Sequence, residues 1–330
     1  MNRRDVLAMG SAAMALCIAP MPVHANPQGR VRVIVDNDLS GDPDGLFQLA
    51  QHLRSPSVDI RAIIGSHLHE KEPFDPSDRQ AANAADKARE LLALMGLGGT
   101  VPVLAGVERA LATAAVPART PATDAIIAEA LRDDPRPLYY CAGAGLTDLA
   151  MALLIEPRIA TRMTLVWIGG AEHPGLAVPP PGAPAAEYNL TIDRVATQVV
   201  FNQSAITIWQ VPRNAYRQML VSNAELQELK RQSALGAWLV AHIEKLAALA
   251  AKARFDIGET YILGDNPLVT LTALQSSFEP DPSSSEYVTR PAPNIGDNGL
   301  YLENAQGRPM RIYTRIDTRL TFADMALKLR

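Results

Sequence analysis

The chain has 330 residues, of which 48% are hydrophobic and 20% are charged, so it has enough apolar content to bury a large core. Its formal net charge of −4 and pI near 5.9 give no indication of binding to nucleic acid or to an anionic membrane surface. Of its two cysteines only Cys141 lies beyond the first 26 residues, which excludes an internal disulfide in a processed chain.

The first 25 residues have the pattern of a targeting segment. Arg3 and Arg4 precede an apolar run over 6–19, and small residues surround a cleavage point after Ala25. This arrangement resembles a twin-arginine signal peptide. We therefore expect export to a bacterial periplasm, with no membrane association after cleavage, and we assign residues 26–330 to a single domain.

Strand and helix patterns then alternate along the chain. Strands are predicted at 31–35, 58–65, 101–104, 138–141, 163–168 and 205–211, and helices at 79–95, 123–131, 146–154 and 193–202, with helical spacing also from Leu46. The sequence further predicts a surface loop at 177–184, long helices over 222–253, an edge strand at 310–316 and a last helix at 322–329. Such alternation predicts an α/β fold with a doubly wound, mostly parallel sheet flanked by helices.

Four carboxylates crowd the loop directly after the first predicted strand: Asp36, Asp38, Asp42 and Asp44. In an open α/β sheet, ligands bind at the carboxyl ends of the strands. Turn formation and helix capping explain one or two such acids, but four repel one another unless a cation lies among them. A hard divalent ion such as calcium prefers oxygen ligands. The sequence therefore predicts a metal or substrate site in this loop.

The same stretch, Asp36-Asn37-Asp38 followed by Asp42 and Asp44, resembles the amino-terminal signature of the inosine-uridine preferring nucleoside hydrolases. In that family D-x-D is followed by two adjacent acids, whereas here Pro43 separates them. Which of the two acids faces a metal is therefore left open. A phosphatase of the haloacid dehalogenase type also begins with a strand and D-x-D, but it has Thr or Val where this chain has Ser40.

Three later segments resemble the same family. Residues 142–148 resemble its T-G-x-L-T-N turn, in which a backbone carbonyl, here that of Gly143, completes the metal shell. Residues 187–189 resemble the E-F-N segment that binds sugar hydroxyls, and residues 263–268 resemble the H-D-P motif. Gly264 stands where that motif has a histidine thought to protonate the departing base. Aromatic candidates for the missing function are Trp209, Trp238, Tyr188 and Tyr261.

Two histidines, His67 and His69, follow the second predicted strand. A zinc pair, a substrate contact and two solvated loop residues all fit this pattern. The resemblance places His69 where the family has an asparagine that contacts the sugar.

The resemblance implies calcium-dependent hydrolysis of the N-glycosidic bond of ribonucleosides, or of a related ribosyl compound. It implies four calcium ligands: Asp38, Asp44, the carbonyl of Gly143, and Asp265. Asp38 would also be the general base, and Asp36 would orient the ligands. The implied substrate-binding residues are Asp42, His69, Glu187 and Asn189. The alternative is a periplasmic sugar- or nucleoside-binding protein without catalysis, which has little use for four clustered carboxylates. Base specificity is not readable, and a homo-oligomer is left open.

Overall fold

The computed structural model describes residues 29–276, 278 and 283–330, so the predicted targeting segment at 1–25 lies outside the described residues. The strands are β1 (Val31–Asn37), β2 (Val58–Gly65), β3 (Val103–Ala105), β4 (Leu138–Ala142), β5 (Thr164–Ile168), β6 (Thr207–Val211), β7 (Leu220–Ser222), β8 (Thr260–Ile262), β9 (Glu286–Pro291), β10 (Asn294–Ile295), β11 (Tyr301–Leu302) and β12 (Pro309–Arg315). The helices are α1 (Asp44–Leu53), α2 (Gln80–Leu94), α3 (Pro121–Ala130), α4 (Thr147–Ile155), α5 (Tyr188–Ile192), α6 (Arg194–Gln198), α7 (Arg213–Tyr216), α8 (Asn223–Gln232), α9 (Ala234–Lys252), α10 (Pro267–Thr272) and α11 (Thr318–Lys328).

Within the described ranges, eight strands form one sheet in the order β3-β2-β1-β4-β5-β6-β12-β9. All neighbours pair in parallel except β9 and β12, which are antiparallel. The chain order reverses between β1 and β4, the switch point at which open α/β sheets bind ligands. The predicted doubly wound, mostly parallel sheet is confirmed.

Strand β1 lies near the middle of the sheet and is buried on both faces. Val33 and Val35 belong to a core that includes α1 and α9, whereas Ile34 belongs to a second core with α3 and α4. Burial on two faces accounts for the run of β-branched residues that predicts this strand, because both sets of side chains need apolar neighbours. The acids that follow β1 therefore start from a rigid base.

The structure differs from the predicted elements mainly near the carboxyl end. The strand predicted at 310–316 is present as β12, but it is not an edge strand, because the unpredicted β9 pairs with its outer side. The helix predicted at 193–202 is instead α6 followed by a π-helical turn at Val199–Gln203. No helix or strand is assigned over the predicted surface loop at 177–184.

Helix α9 is the one helix among the described residues that is long and apolar enough to cross a membrane, judged by length and composition alone. Its buried side chains, including Leu239, Val240 and Ile243, pack into the core shared with α8.

Candidate active site

Most of the predicted site residues meet at the carboxyl ends of β1, β4 and β5, in a cavity of about 280 Å³. Seven of them line it: Asp38, Asp42, Asp44, Gly143, Glu187, Asn189 and Asp265. This volume suits a small molecule. A larger cavity of about 460 Å³ lies between α8, α9 and the segment around Phe255, and it contains none of the predicted site residues.

The carboxylates in the cavity hinder one another's ionisation. Burial raises the pKa of Asp38, and the negative charges of Asp265 and Asp42 raise it further. Burial and the same two acids also raise the pKa of Asp44. Within the described part of the chain, no Lys, Arg or His side chain forms an ion pair with any of these acids. No positively charged side chain is among the described residues that line the cavity.

Asp265 is 3% exposed, and its environment raises its pKa to about 7. Burial is the main cause, a hydrogen bond from Asn37 opposes it, and the charges of Asp42 and Glu187 add to it. The backbone of β4 also comes very close, since a Cβ added at Gly143 would lie 2.6 Å from Oδ2 of Asp265. Glycine at 143 therefore lets a backbone carbonyl approach the acids.

These oxygen donors fit a hard divalent cation by their chemistry. In the described ranges, no three His, Cys, Asp or Glu side chains are already arranged to hold a metal ion. The lack of such an arrangement weighs less than the charges, because carboxylates rotate readily when a cation enters. Neighbouring buried acids, in contrast, do not all ionise without a counter-charge, which a bound cation would supply.

Pro43 gives the two acids that flank it different surroundings. Pro43 precedes α1 as its N-cap residue, and Asp44 begins the helix. Oδ1 of Asp42 accepts hydrogen bonds from the Tyr261 hydroxyl at 2.6 Å and from the Asp44 backbone at 3.2 Å. Asp44 instead faces the distant turn, because a Cβ added at Gly264 would lie 3.2 Å from its Oδ2. This placement favours Asp44 over Asp42 as the acid that shares a cation with Asp265.

Glu187 and Asn189 are held by the backbone around them. Oε2 of Glu187 accepts hydrogen bonds from the backbone N–H of Gly170 at 2.7 Å and of Leu190 at 3.1 Å, so Glu187 also caps α5. Nδ2 of Asn189 donates to the carbonyls of Gly143 at 3.1 Å and Ile168 at 2.8 Å. Both amide hydrogens of Asn189 are thereby used, which leaves its Oδ1 to accept from a substrate hydroxyl.

Two predicted site residues lie elsewhere. Asp36 is buried behind the cavity, where its carboxylate accepts hydrogen bonds from the hydroxyls of Ser66 and Tyr140. His69 does not line the cavity: its ring lies edge-on to Tyr188, with centroids 4.9 Å apart, and its Nε2 is 3.2 Å from the Thr191 hydroxyl.

Of His67 and the four aromatic residues that the sequence also offered as candidates, most lie outside the cavity. His67 is buried and contacts Thr147 at 2.9 Å, a different partner from that of His69. Of the four aromatic candidates, only Tyr188 lines the cavity, while Trp209 packs at a tilt against Tyr139 and Trp238 donates to Glu90.

Sequence reasoning missed three polar or aromatic residues of the site: Asn37, Phe74 and Tyr216. Asn37 stands between two of the acids and donates to Asp265 at 2.8 Å, so its position in the motif was a usable signal. The Tyr216 hydroxyl donates to Oε1 of Glu187 at 3.0 Å. Neither Phe74 nor Tyr216 belongs to a recognisable motif, and only the fold brings them to the cavity.

Comparisons with known proteins agree with this geometry. A family model described as inosine-uridine preferring nucleoside hydrolase matches residues 33–322. A stretch of 84 residues is 38% identical to the inosine-uridine preferring nucleoside hydrolase of Leishmania major and covers 25% of each chain. A stretch of 91 residues is 37% identical to that of Crithidia fasciculata and covers 27% of this chain and 26% of that one. The matched part thus spans about a quarter of the length of these curated relatives.

Solved structures show the same fold over most of the chain. A plant nucleoside hydrolase superposes with a TM-score of 0.69 at 21% identity, covering 91% of this chain and 99% of that one. The purine-preferring ribonucleoside hydrolase from Gardnerella vaginalis also gives 0.69, at 17% identity, with coverage of 90% and 98%.

Proposed function

The chain belongs to the inosine-uridine preferring nucleoside hydrolase family, and from that premise we propose that it hydrolyses the N-glycosidic bond of ribonucleosides, or of a related ribosyl compound, with calcium as its cofactor. One observation carries the proposal: Asp38, Asp44 and Asp265, from opposite ends of the chain, converge on one cavity without a counter-charge.

The cation would be held by Asp38, Asp44, Asp265 and the carbonyl of Gly143. When bound, calcium supplies the positive charge that acidifies a water molecule and attracts ribose hydroxyls. Asp38 accepts the proton of the attacking water as general base. Because the transition state has oxocarbenium character, the carboxylates around the cavity also favour the positive charge that develops on the sugar.

The sugar is bound by groups that the backbone already orients. Oδ1 of Asn189 accepts a hydrogen bond from one hydroxyl, and Glu187 accepts from another. Asp42, with one oxygen held by Tyr261, is placed to accept a third. Groups held in this way lose little conformational freedom when the substrate binds.

The leaving base is proposed to lie against the aromatic wall of the cavity. Phe74 and Tyr188 line it and are each 42% exposed, so a planar base stacks on them without displacing core side chains. Gly264 stands where the family motif has a histidine. The ring of Tyr216 fills part of the space that a histidine side chain would occupy, since a Cβ added at Gly264 would lie 3.5 Å from it. We therefore assign recognition of the base to stacking.

The test is to incubate purified protein with a panel of nucleosides and to measure reducing sugar, with calcium and with a chelator. Sugar release that the chelator blocks supports the proposal. Asp38→Asn keeps the shape of the side chain but removes the base, so its rate should fall by about a hundredfold or more. Wild-type rates in that variant would refute the role of Asp38.

A binding protein without catalysis is the second candidate, favoured by the absence of the family histidine at Gly264. Such a protein would retain a nucleoside in equilibrium dialysis and release no sugar at any calcium concentration. Release of phosphate from a nucleotide would instead indicate a phosphatase.

We also propose export to the periplasm, on the pattern of residues 1–25 alone. Replacing Arg3 and Arg4 with lysine should retain the protein in the cytoplasm, as cell fractionation would show. Unchanged export of this variant would remove the twin-arginine assignment.

A further inference from the structure

A line of buried polar side chains leads from Asp265 into the core, through Asn37, Gln48, His52 and Thr272. Each of the four is at most 2% exposed. Asn37 is the last residue of β1, Gln48 and His52 lie one helical turn apart on α1, and Thr272 ends α10, the helix that begins just after Asp265. The line therefore connects both ends of the chain behind the proposed cation site.

The hydrogen bonds in this line have one direction. Ionised Asp265 only accepts, so Asn37 must present its Nδ2 to it, at 2.8 Å. The same nitrogen donates to Oε1 of Gln48 at 3.2 Å. Asn37 keeps this orientation although its Oδ1 is buried with no hydrogen-bond partner among the described residues. The contact with Asp265 thus decides how the amide is turned.

The orientation of Gln48 in turn fixes the ring of His52. With Oε1 used by Asn37, Gln48 directs Nε2 at Nδ1 of His52, which must carry a lone pair. The ring proton is then on Nε2 and is donated to the Thr272 hydroxyl at 2.8 Å. That hydroxyl donates to the Leu268 carbonyl at 2.6 Å.

We propose that Asn37, Gln48 and His52 are positioning residues that hold the Asp265 carboxylate in its cation-binding orientation, with His52 as the neutral Nε2–H tautomer. The proposal rests on the proposed function for the identity of Asp265 as a ligand. Groups that orient metal ligands typically change affinity for the metal by tenfold to a hundredfold when removed.

Reversing the donor and acceptor of any hydrogen bond in this line forces the next hydrogen bond to reverse as well. A proton on Nδ1 of His52 would face the N–H of Gln48, and turning that amide would set two nitrogen donors, those of Gln48 and Asn37, against each other. Turning Asn37 as well would point its oxygen at the Asp265 carboxylate. Burial, helped by the charge of Lys328, lowers the pKa of His52 to about 3, which agrees with a neutral ring.

A neighbouring amide pair supports the same end of the chain. Nδ2 of Asn266 donates to Oε1 of Gln51 at 2.7 Å, and Gln51 donates to Oδ2 of Asp324 at 2.8 Å. Helix α1 thus holds both residues of the 265–266 turn, one directly through Gln51 and one through Gln48 and Asn37. The side chains of α1 therefore help to fix the orientation of Asp265.

The first experiment reads the tautomer of His52 in the wild-type protein by long-range ¹H–¹⁵N NMR, without metal or substrate. The proton is expected on Nε2 between pH 5 and 8. A proton on Nδ1 would overturn the proposal whatever the protein binds or hydrolyses.

The second experiment measures calcium affinity by titration calorimetry in the absence of substrate. His52→Leu leaves Gln48 without an acceptor and is expected to weaken calcium binding by about tenfold or more. His52→Asn places an amide oxygen where Nδ1 was and should restore the affinity to within about threefold of wild type. Leu49→Val, on the same helix but outside the line, controls for loss of core packing.

Equal calcium affinity in wild type and His52→Leu, or equal losses in all three variants, would overturn the positioning role. If the wild-type protein binds no calcium, the proposed cofactor is wrong. The NMR measurement of the His52 tautomer then still tests the direction of the hydrogen bonds, because it needs no metal.

Discussion

Replacing Asp265 with Asn is expected to stabilise the protein in a chelator at pH 8 and to abolish its stabilisation by calcium. The wild-type carboxyl is buried, and its pKa is raised from 3.8 to about 7. Keeping it ionised above pH 7 therefore costs about 4 kcal/mol of folding free energy, at 1.36 kcal/mol per pH unit. Asparagine removes that cost and still offers an oxygen to Asn37.

The direction of the pH dependence follows from the raised pKa. The folded protein holds the proton of Asp265 more tightly than the unfolded chain, so its contribution to stability is complete below pH 3.8 and is lost as pH rises through about 7. Wild type and variant should therefore be equally stable near pH 4, and the advantage of the variant should grow toward pH 8.

Calcium narrows this difference in stability. At a calcium concentration of about one hundred times Kd, wild type gains about 2.7 kcal/mol, which corresponds to roughly 4 °C in Tm for a domain of about 300 residues. Asp265→Asn should gain much less. The assay is thermal and urea unfolding at pH 4, 6 and 8, each with calcium and with a chelator.

Asp148 provides a matched control. It is 1% exposed, and burial together with the charge of Asp36 raises its pKa, but it does not line the cavity. Asp148→Asn should gain stability as pH rises and keep the full response to calcium. If Asp265→Asn is less stable than wild type in chelator at pH 8, or keeps the calcium response, the electrostatic reasoning is wrong.

Three further changes test other contacts. Gly143→Ala puts a Cβ 2.6 Å from a carboxylate oxygen, so calorimetry should show calcium binding at least about tenfold weaker; unchanged affinity would exclude the close approach. Tyr216→Phe removes a hydrogen bond to Glu187, and steady-state kinetics should show kcat/KM lower by about fivefold. Burial raises the pKa of Glu129, but the hydrogen bonds from Arg32 and Arg132 and the charge of Arg61 together keep it below 4.5. Glu129→Gln should therefore cost about 3 kcal/mol in urea unfolding at pH 7, and less as pH falls below 4.5 through the lowered pKa of the native carboxylate.

The central strands were predictable because their side chains meet apolar neighbours on both faces. Strands β1, β2, β4, β5 and β6 each have a predicted counterpart. Strand β9 was missed because it lies at the edge of the sheet, where none of its residues is fully buried and the apolar pattern is weak. The same omission made β12 look like an edge strand.

The candidate site was predictable where it depends on motifs and not where it depends on shape. Asp265 and the acids that follow β1 could be recognised from their residue type and their order in the motifs. Phe74 and Tyr216 reach the cavity from segments without such order. His69 was predicted to contact the sugar, but its ring packs against Tyr188 and does not line the cavity, because spacing along a loop does not fix where a side chain points.

Asn37 and Asp265, joined by one hydrogen bond, are separated by 228 positions in the chain. Closing so long a loop is entropically unfavourable until the strands between them have paired. The proposed cation-binding pocket is consequently completed late, after the segment that carries Asp265 has been synthesised and has docked. A chain that ends before Asp265 would carry the amino-terminal acids but lack one of the four proposed calcium ligands, so calcium binding, if the proposal holds, would report a chain that is both fully synthesised and folded.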